Sequence, residues 1–178
     1  MKNLLIRPAS LDDVHTLQTI GIRTFSEAFA EKNTEADMAM YLMKAFSTKR
    51  IERELQDPEV QYHLAVNDQH LIGYMKINTG SVQSESFGPG HLEIERIYVL
   101  AEAQGHGVGQ ILLEEALRIA QNAGIGTIWL GVWEHNLPAI RFYERNAFFA
   151  FGKHDFMLGE DRQTDILMRR TIDIKIET

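Results

Sequence analysis

The chain of 178 residues contains no cysteine. That excludes a disulfide framework, a thiolate zinc site and a thiol nucleophile, and it fits a reducing compartment. Long apolar runs are also missing. The run Leu4-Leu5-Ile6 is too short for the core of a signal peptide, and no stretch approaches the roughly 20 apolar residues of a membrane span. A cytoplasmic location without membrane association is expected. Positive charge is in deficit, with 18 Lys and Arg against 25 Asp and Glu and a formal net charge of −7. A nucleic-acid partner usually demands a basic face and is not expected; a cationic substrate is permitted. Repeats, low-complexity tracts and linkers are absent, and the length fits a single domain, residues 1–178, with a full core. Nothing in the sequence fixes the oligomeric state, and a homodimer is compatible with it.

What is present reads as alternating elements. Leu4-Leu5-Ile6 predicts a first strand, ended by Pro8. Ser10 and Asp13 form a capping box before a helical stripe of Val14, Leu17, Phe25, Ala28 and Phe29, interrupted by Gly21. A second helix begins near Thr34 and a third near Ser47, ending before Asp57-Pro58. Tyr62, Leu64 and Val66 then alternate with their neighbours, and Leu71 to Ile77 follows after Asp68-Gln69, which predicts a hairpin. Gly80 to Gly90 is an irregular surface loop. Leu92, Ile94, Ile97 and Val99 mark another strand, Gln110 to Ala123 a strong helix stopped by Gly124, and Thr127 to Trp133 a buried strand. Asn136 caps a further helix with Pro138 in its first turn. Phe148 to Phe151 and Asp165 to Arg169 close the chain as two strands. This order predicts an α/β fold with a mixed sheet and helices on its faces.

The chemically informative stretch is LEIERIYVLAEAQGHGVGQILLEEAL, residues 92 to 117. Gly105, Gly107 and Gly109 alternate where a helix begins. Glycine permits positive φ, and the first N–H groups of a helix lack internal partners and sit at the positive end of its dipole. Together they suit a pyrophosphate. The competing explanation is a glycine-rich turn packing a helix tightly on a strand. Two other phosphate motifs fail on spacing. A P-loop needs Lys-Ser/Thr after the last glycine, where Gln110-Ile111 stands. A dinucleotide fingerprint needs G-x-G-x-x-G directly after the strand, whereas here G-x-G-x-G is separated from Val99 by LAEAQ.

At these residues the sequence resembles the GNAT superfamily of acetyltransferases. The family's Gln/Arg-x-x-Gly-x-Gly/Ala loop matches at Gln104, Gly107 and Gly109. Its second signature, Asn followed by Ala-x-x-Phe-Tyr, matches at Asn136, Ala139, Phe142 and Tyr143 in NLPAIRFYERNAFF. LEIERIYV, IWLGVWE and the late QTD are similar to PaiA-type bacterial polyamine (spermidine/spermine) acetyltransferases. Two departures stand out. Ala147 occupies a position usually held by glycine, so Asn146 is expected to take a left-handed conformation and end the helix. His106 stands where Lys or Arg is common.

The resemblance implies a mostly antiparallel GNAT-like central sheet, acetyl-CoA as co-substrate, no metal, and a small-molecule amine, of the polyamine type, as acceptor. It implies that Gln104, Gly105, His106, Gly107, Val108, Gly109 and Gln110 hold the diphosphate, that Ile97, Tyr98 and Val99 accompany the pantetheine arm, and that Asn136 orients it, with Arg145 near a phosphate. Tyr143 is then the acid that protonates the leaving thiolate. An amine like a lysine side chain, with pKa near 10.4, costs about 4.6 kcal/mol to neutralise at pH 7, so a base is useful. Glu95 is assigned that role through water, with Glu93 as runner-up; either could instead pair with Arg96. Glu31, with Glu27, Glu35, Asp37, Glu85 and Glu93, could attract a cation or simply be a solvated face. Trp133 is expected to border the acceptor cleft and Trp129 to be core. Acetylation of a protein or peptide, or a non-catalytic coenzyme A sensor, are the alternatives; the sensor is disfavoured by the presence of both Glu95 and Tyr143.

Overall fold

The computed structural model describes residues 3–172. Ser10 and Asp13 form the expected capping box, which leads into α1 (Val14–Phe29). Gly21 does not interrupt this helix. A Cβ at Gly21 would lie 2.4 Å from the Phe46 ring, so the glycine admits an aromatic side chain against the helix. Thr34 caps α2 (Glu35–Ala45) and Ser47 caps α3 (Thr48–Gln56), each through its hydroxyl.

The predicted hairpin is β2 (Val60–Asn67) and β3 (His70–Asn78). Asp68 and Gln69 both adopt positive φ, 47° and 69°, the backbone of a tight two-residue turn. The first strand, β1 (Leu4–Pro8), pairs with β2. Next come β4 (His91–Val99), α4 (Val108–Asn122), β5 (Thr127–Trp133) and α5 (Leu137–Arg145). The helix after the glycines starts two residues earlier than the sequence predicts, because Gly107 rather than Gly109 is the left-handed residue that precedes it. The closing strands, β6 (Phe149–Leu158) and β7 (Asp161–Thr171), are much longer than their apolar cores. They form a hairpin extending beyond the sheet's buried centre, where polar residues mask the strand pattern.

The seven strands run in the order β1-β2-β3-β4-β5-β7-β6. Every neighbouring pair is antiparallel except β4 and β5. Helices cover both faces. On β2, Tyr62 reaches Glu54 of α3, while its neighbour His63 faces Glu115 of α4 at 4.0 Å. Successive strand residues point to opposite faces, so α3 and α4 lie on opposite sides. Among the described residues no helix is long and apolar enough to cross a membrane.

The parallel pair is short. β4 and β5 match only at His91–Thr127, Leu92–Ile128 and Glu93–Trp129, and then they part. A bulge in β4 coincides with the parting: Ile77 faces Ile94 and Lys76 faces Arg96, so Glu95 is the additional residue. A bulge bends its strand and strengthens the local twist.

The end of α5 corrects one expectation. Asn146 has φ −96°; Ala147 itself takes φ +61°. Its N–H donates to Glu144 O, and Phe148 N–H donates to Tyr143 O, both at 3.0 Å. This is a Schellman motif with alanine at the position that favours glycine. Phe148 supplies the accompanying apolar contact, with its ring 5.6 Å from that of Tyr143. Ala147→Gly is therefore expected to raise the unfolding free energy by about 1 kcal/mol, the left-handed penalty less the entropy of glycine. Urea denaturation measures this, and an unchanged or lower midpoint would count against strain at Ala147.

Candidate active site

Where β4 leaves β5 a cleft of about 160 Å³ opens, lined by both strands, α1, α2, α5 and the β6–β7 hairpin. Backbone direction along its β4 edge follows from one bond. Leu100 N–H donates to Ile72 O of β3 at 2.9 Å, so alternate residues, Tyr98 included, also direct their backbone toward β3. Ile97 and Val99 direct theirs toward the open side. Val99 O already accepts from Gln104 Nε2 at 3.0 Å. Of the three residues expected along a pantetheine arm, Tyr98 thus offers its ring to the cleft and not its backbone.

The loop after β4 presents amides. Gly105 and Gly107 have φ of 76° and 83°. The first helical bond of α4 runs from Ile111 N–H to Gly107 O, and no side chain caps the helix. The N–H groups of Val108, Gly109 and Gln110 therefore have no helical acceptor. A Cβ added at Gly105, Gly107 or Gly109 would meet nothing within 4 Å. That removes the packing explanation for these glycines, because no neighbour needs the room. The open space above the amides fits an anion. His106 folds its Nδ1 onto Gln104 O at 2.9 Å, and Arg145 is exposed at the end of α5.

Asn136 caps α5 by accepting from Ala139 N–H at 3.3 Å, and it lines the cleft together with Ala139 and Tyr143. The Tyr143 ring is buried, and burial raises its hydroxyl pKa above the ordinary value. Gln110 at the start of α4 donates to Asn146 Oδ1 at 3.0 Å, and Asn146 Nδ2 donates to Phe142 O at 2.9 Å, which ties the two helices together.

Glu95 lines the cleft but is heavily engaged. Its Oε2 lies 2.5 Å from Lys76 Nζ and accepts from Asn78 Nδ2 at 2.7 Å; Oε1 is 3.4 Å from Arg96. Burial would raise its pKa, but Arg96 and Lys76, with the bonds from Lys76 and Asn78, hold it down to about 2. Lys76 is only 2% exposed and also pairs with Glu54 at 2.9 Å, which in turn meets Arg50 and Tyr62. A carboxylate held this firmly takes up a proton only by giving up these contacts. Glu93 lies outside the cleft lining. Asn78 and Ser84 donate to it, and burial raises its pKa.

The acidic residues around α1 and α2 take separate places. Glu27 pairs with Arg23 and accepts from Ala101 N–H. Asp37 accepts from the hydroxyl of Thr34, the cap of α2, and from Glu160 N–H. Glu31 is exposed and outside the cleft. Trp133 lines the cleft, whereas Trp129 is fully buried and packs edge-on to Phe87.

Sequence reasoning missed the far wall. Tyr41, Phe156, Gln163 and Asp165 line it, and Phe25 stacks on Tyr41 with centroids 4.4 Å apart. Behind Asp165 stands His154, whose Nδ1 is 2.9 Å from Glu85 and whose Nε2 is 3.7 Å from Asp165 Oδ2. The QTD segment carried a family resemblance, but only the strand register of β6, β7 and β5 brings it to the cleft.

The acetyltransferase (GNAT) family profile matches residues 23–148. An uncharacterized N-acetyltransferase from Lactobacillus delbrueckii subsp. lactis is 34% identical over 97% of this chain and 99% of its own length. Streptothricin acetyltransferase from Streptomyces lavendulae is 30% identical over 78% of this chain and 72% of its own. A probable spermine N(1)-acetyltransferase from Bacillus subtilis subsp. natto is 28% identical over 48% and 57%. The PaiA N-acetyltransferase of Thermoplasma acidophilum, solved in complex with coenzyme A, superposes with a TM-score of 0.77 at 21% identity, covering 95% of this chain and 99% of that one.

The grip on Glu95 has a measurable consequence. A carboxyl whose pKa drops from 4.5 to about 2 on folding contributes stability that is fully present above about pH 4.5 and is lost as pH falls through about 2. Urea denaturation between pH 5 and pH 2 should show the wild type losing about 3 kcal/mol more than Glu95→Gln. Parallel pH profiles would contradict the ion-pair grip.

Proposed function

The chain belongs to the acetyltransferase (GNAT) family, and on that premise we propose that it transfers an acetyl group from acetyl-CoA to a primary amine of a small cationic molecule of the polyamine class. The observation that carries this reading is the parting of β4 from β5 between a set of free amides at one end and the Tyr143 hydroxyl within the cleft.

In this reading the amides of Gly105, His106, Gly107, Val108, Gly109 and Gln110 take the diphosphate, with Arg145 as a solvent-side cation. The pantetheine arm runs beside β4 as an added strand would, using the outward backbone groups of Ile97 and Val99. Asn136, at the head of α5, orients the arm near its thioester. The acceptor enters from the wall formed by Tyr41, Trp133, Phe156 and Asp165. Aromatic faces and a carboxylate suit an alkylammonium; Lys32 Nζ already lies over the Trp133 ring, 5.2 Å from its centroid. The small volume of the cleft, about 160 Å³, favours a small acceptor over a peptide. The spermine in the name of the Bacillus relative supports a polyamine.

The neutral amine attacks the thioester carbonyl, the C–S bond breaks, the thiolate receives the Tyr143 proton, and the proton shed by the nitrogen as the amide forms restores the Tyr143 hydroxyl. Burial keeps the hydroxyl protonated until that moment. The same dry surroundings raise the basicity of the thiolate, which narrows the gap between them. Glu95 fixes the bulge and the local potential.

Tyr143→Phe should lower kcat about 100-fold while leaving acetyl-CoA affinity within about threefold, as read by release of free coenzyme A thiol across a panel of amines and by calorimetry. Undiminished turnover in the variant would remove Tyr143 from the mechanism. Absence of thiol release by the wild type with spermidine, spermine and simple diamines would refute the acceptor class.

A further inference from the structure

Glu95 is tied to Lys76 and Asn78, which leaves a place for a second proton acceptor. The far wall of the cleft holds one. Asp165 on β7 lines the cleft with its side chain 14% exposed. His154, its cross-strand partner on β6, sits behind it with Nε2 3.7 Å from Asp165 Oδ2. The other ring nitrogen, Nδ1, is 2.9 Å from Glu85 Oε1, in the loop after β3. Glu85 can only accept, so the Nδ1 proton belongs to this bond. In neutral His154 that leaves Nε2 as a bare lone pair on the cleft side. The neighbouring strand leaves room for this arrangement: a Cβ on Gly131 would lie 3.1 Å from His154 Nε2 and 3.2 Å from Asp165 Oδ2.

We propose that His154 receives the acceptor's proton through Asp165, with Glu85 holding the ring in the receptive tautomer. This rests on the amine-acetylating reading above. The acceptor ammonium binds Asp165, and one proton passes from its nitrogen through the carboxylate to His154 Nε2. The free amine then forms the C–N bond as the C–S bond breaks. The thiol keeps one of the two protons the nitrogen loses overall, and the imidazolium holds the other until it passes to solvent beside the part-exposed Glu85. A protonated ring would lie between two carboxylates. Asp165 is the main cause of a His154 pKa above its ordinary value, and Glu85 adds to it against the effect of burial. The remaining neighbouring charge, Asp155, is paired with Arg162.

The test is the pH profile of kcat/KM for an amine such as spermidine, with acetyl-CoA saturating. Wild type should show an acid limb set by His154. His154→Gln should lose about 100-fold at pH 7 and recover toward the wild-type rate near about pH 10, where the amine deprotonates unaided. Glu85→Gln should move the acid limb the opposite way, to lower pH, because one support of the raised pKa is gone. Acetyl-CoA affinity by calorimetry should stay within about threefold in both. A wild-type profile in His154→Gln, an equal loss at every pH, or a limb in Glu85→Gln that stays put or moves up would each overturn the proposal while leaving acetyl transfer standing. A wild type that binds acetyl-CoA and acetylates no amine overturns the acceptor reading and this proposal with it.

Discussion

The ion pair between Lys76 and Glu95 is the contact on which the cleft depends. A bulge adds one residue to a strand, and here that residue is charged and carried into a half-buried place. A buried carboxylate is tolerated only when its charge and lone pairs are met. Lys76, on the facing strand, meets Glu95 and Glu54 together, and Asn78 bridges Glu93 and Glu95. With the bulge held in this way, β4 bends out of register with β5, and two strand edges remain without partners for each other in the middle of a sheet. Such edges normally invite pairing. Their position beside free helical amides makes them suited to an extended ligand rather than to another strand.

Local chemistry made much of this legible in the sequence. The capping box at Ser10, the positive-φ turn at Asp68-Gln69 and the glycines before α4 are short-range devices, and each acts where its residues stand. The glycine loop was readable for the same reason, whereas Tyr143 was assigned by family resemblance alone. What stayed hidden was relational. Nothing near Glu95 in the chain announces that Lys76, 19 positions earlier, lies 2.5 Å away. The wall containing Asp165 and His154 required the register of three strands. The acidic residues around α1 and α2 formed a group in sequence, yet folding assigned Glu27 and Asp37 to separate structural tasks.

Ala147 shows the limit of substituting one rule for another. The need for a left-handed residue was correctly located to within one position, and Asn146 was the reasonable occupant on propensity alone. Its side chain, however, is spent on a bridge between helices, and a residue with both amide atoms so committed has its backbone fixed as well. The neighbouring alanine absorbs the unfavourable torsion.

That bridge has a mechanical implication. Asn146 joins the first turn of α4, whose amides lack helical acceptors, to the last turn of α5, which carries Tyr143. The two ends of a long ligand would thus be gripped by parts of one rigid frame. The spacing between phosphate and sulfur becomes a property of the protein, and a shift of either helix is transmitted to the other.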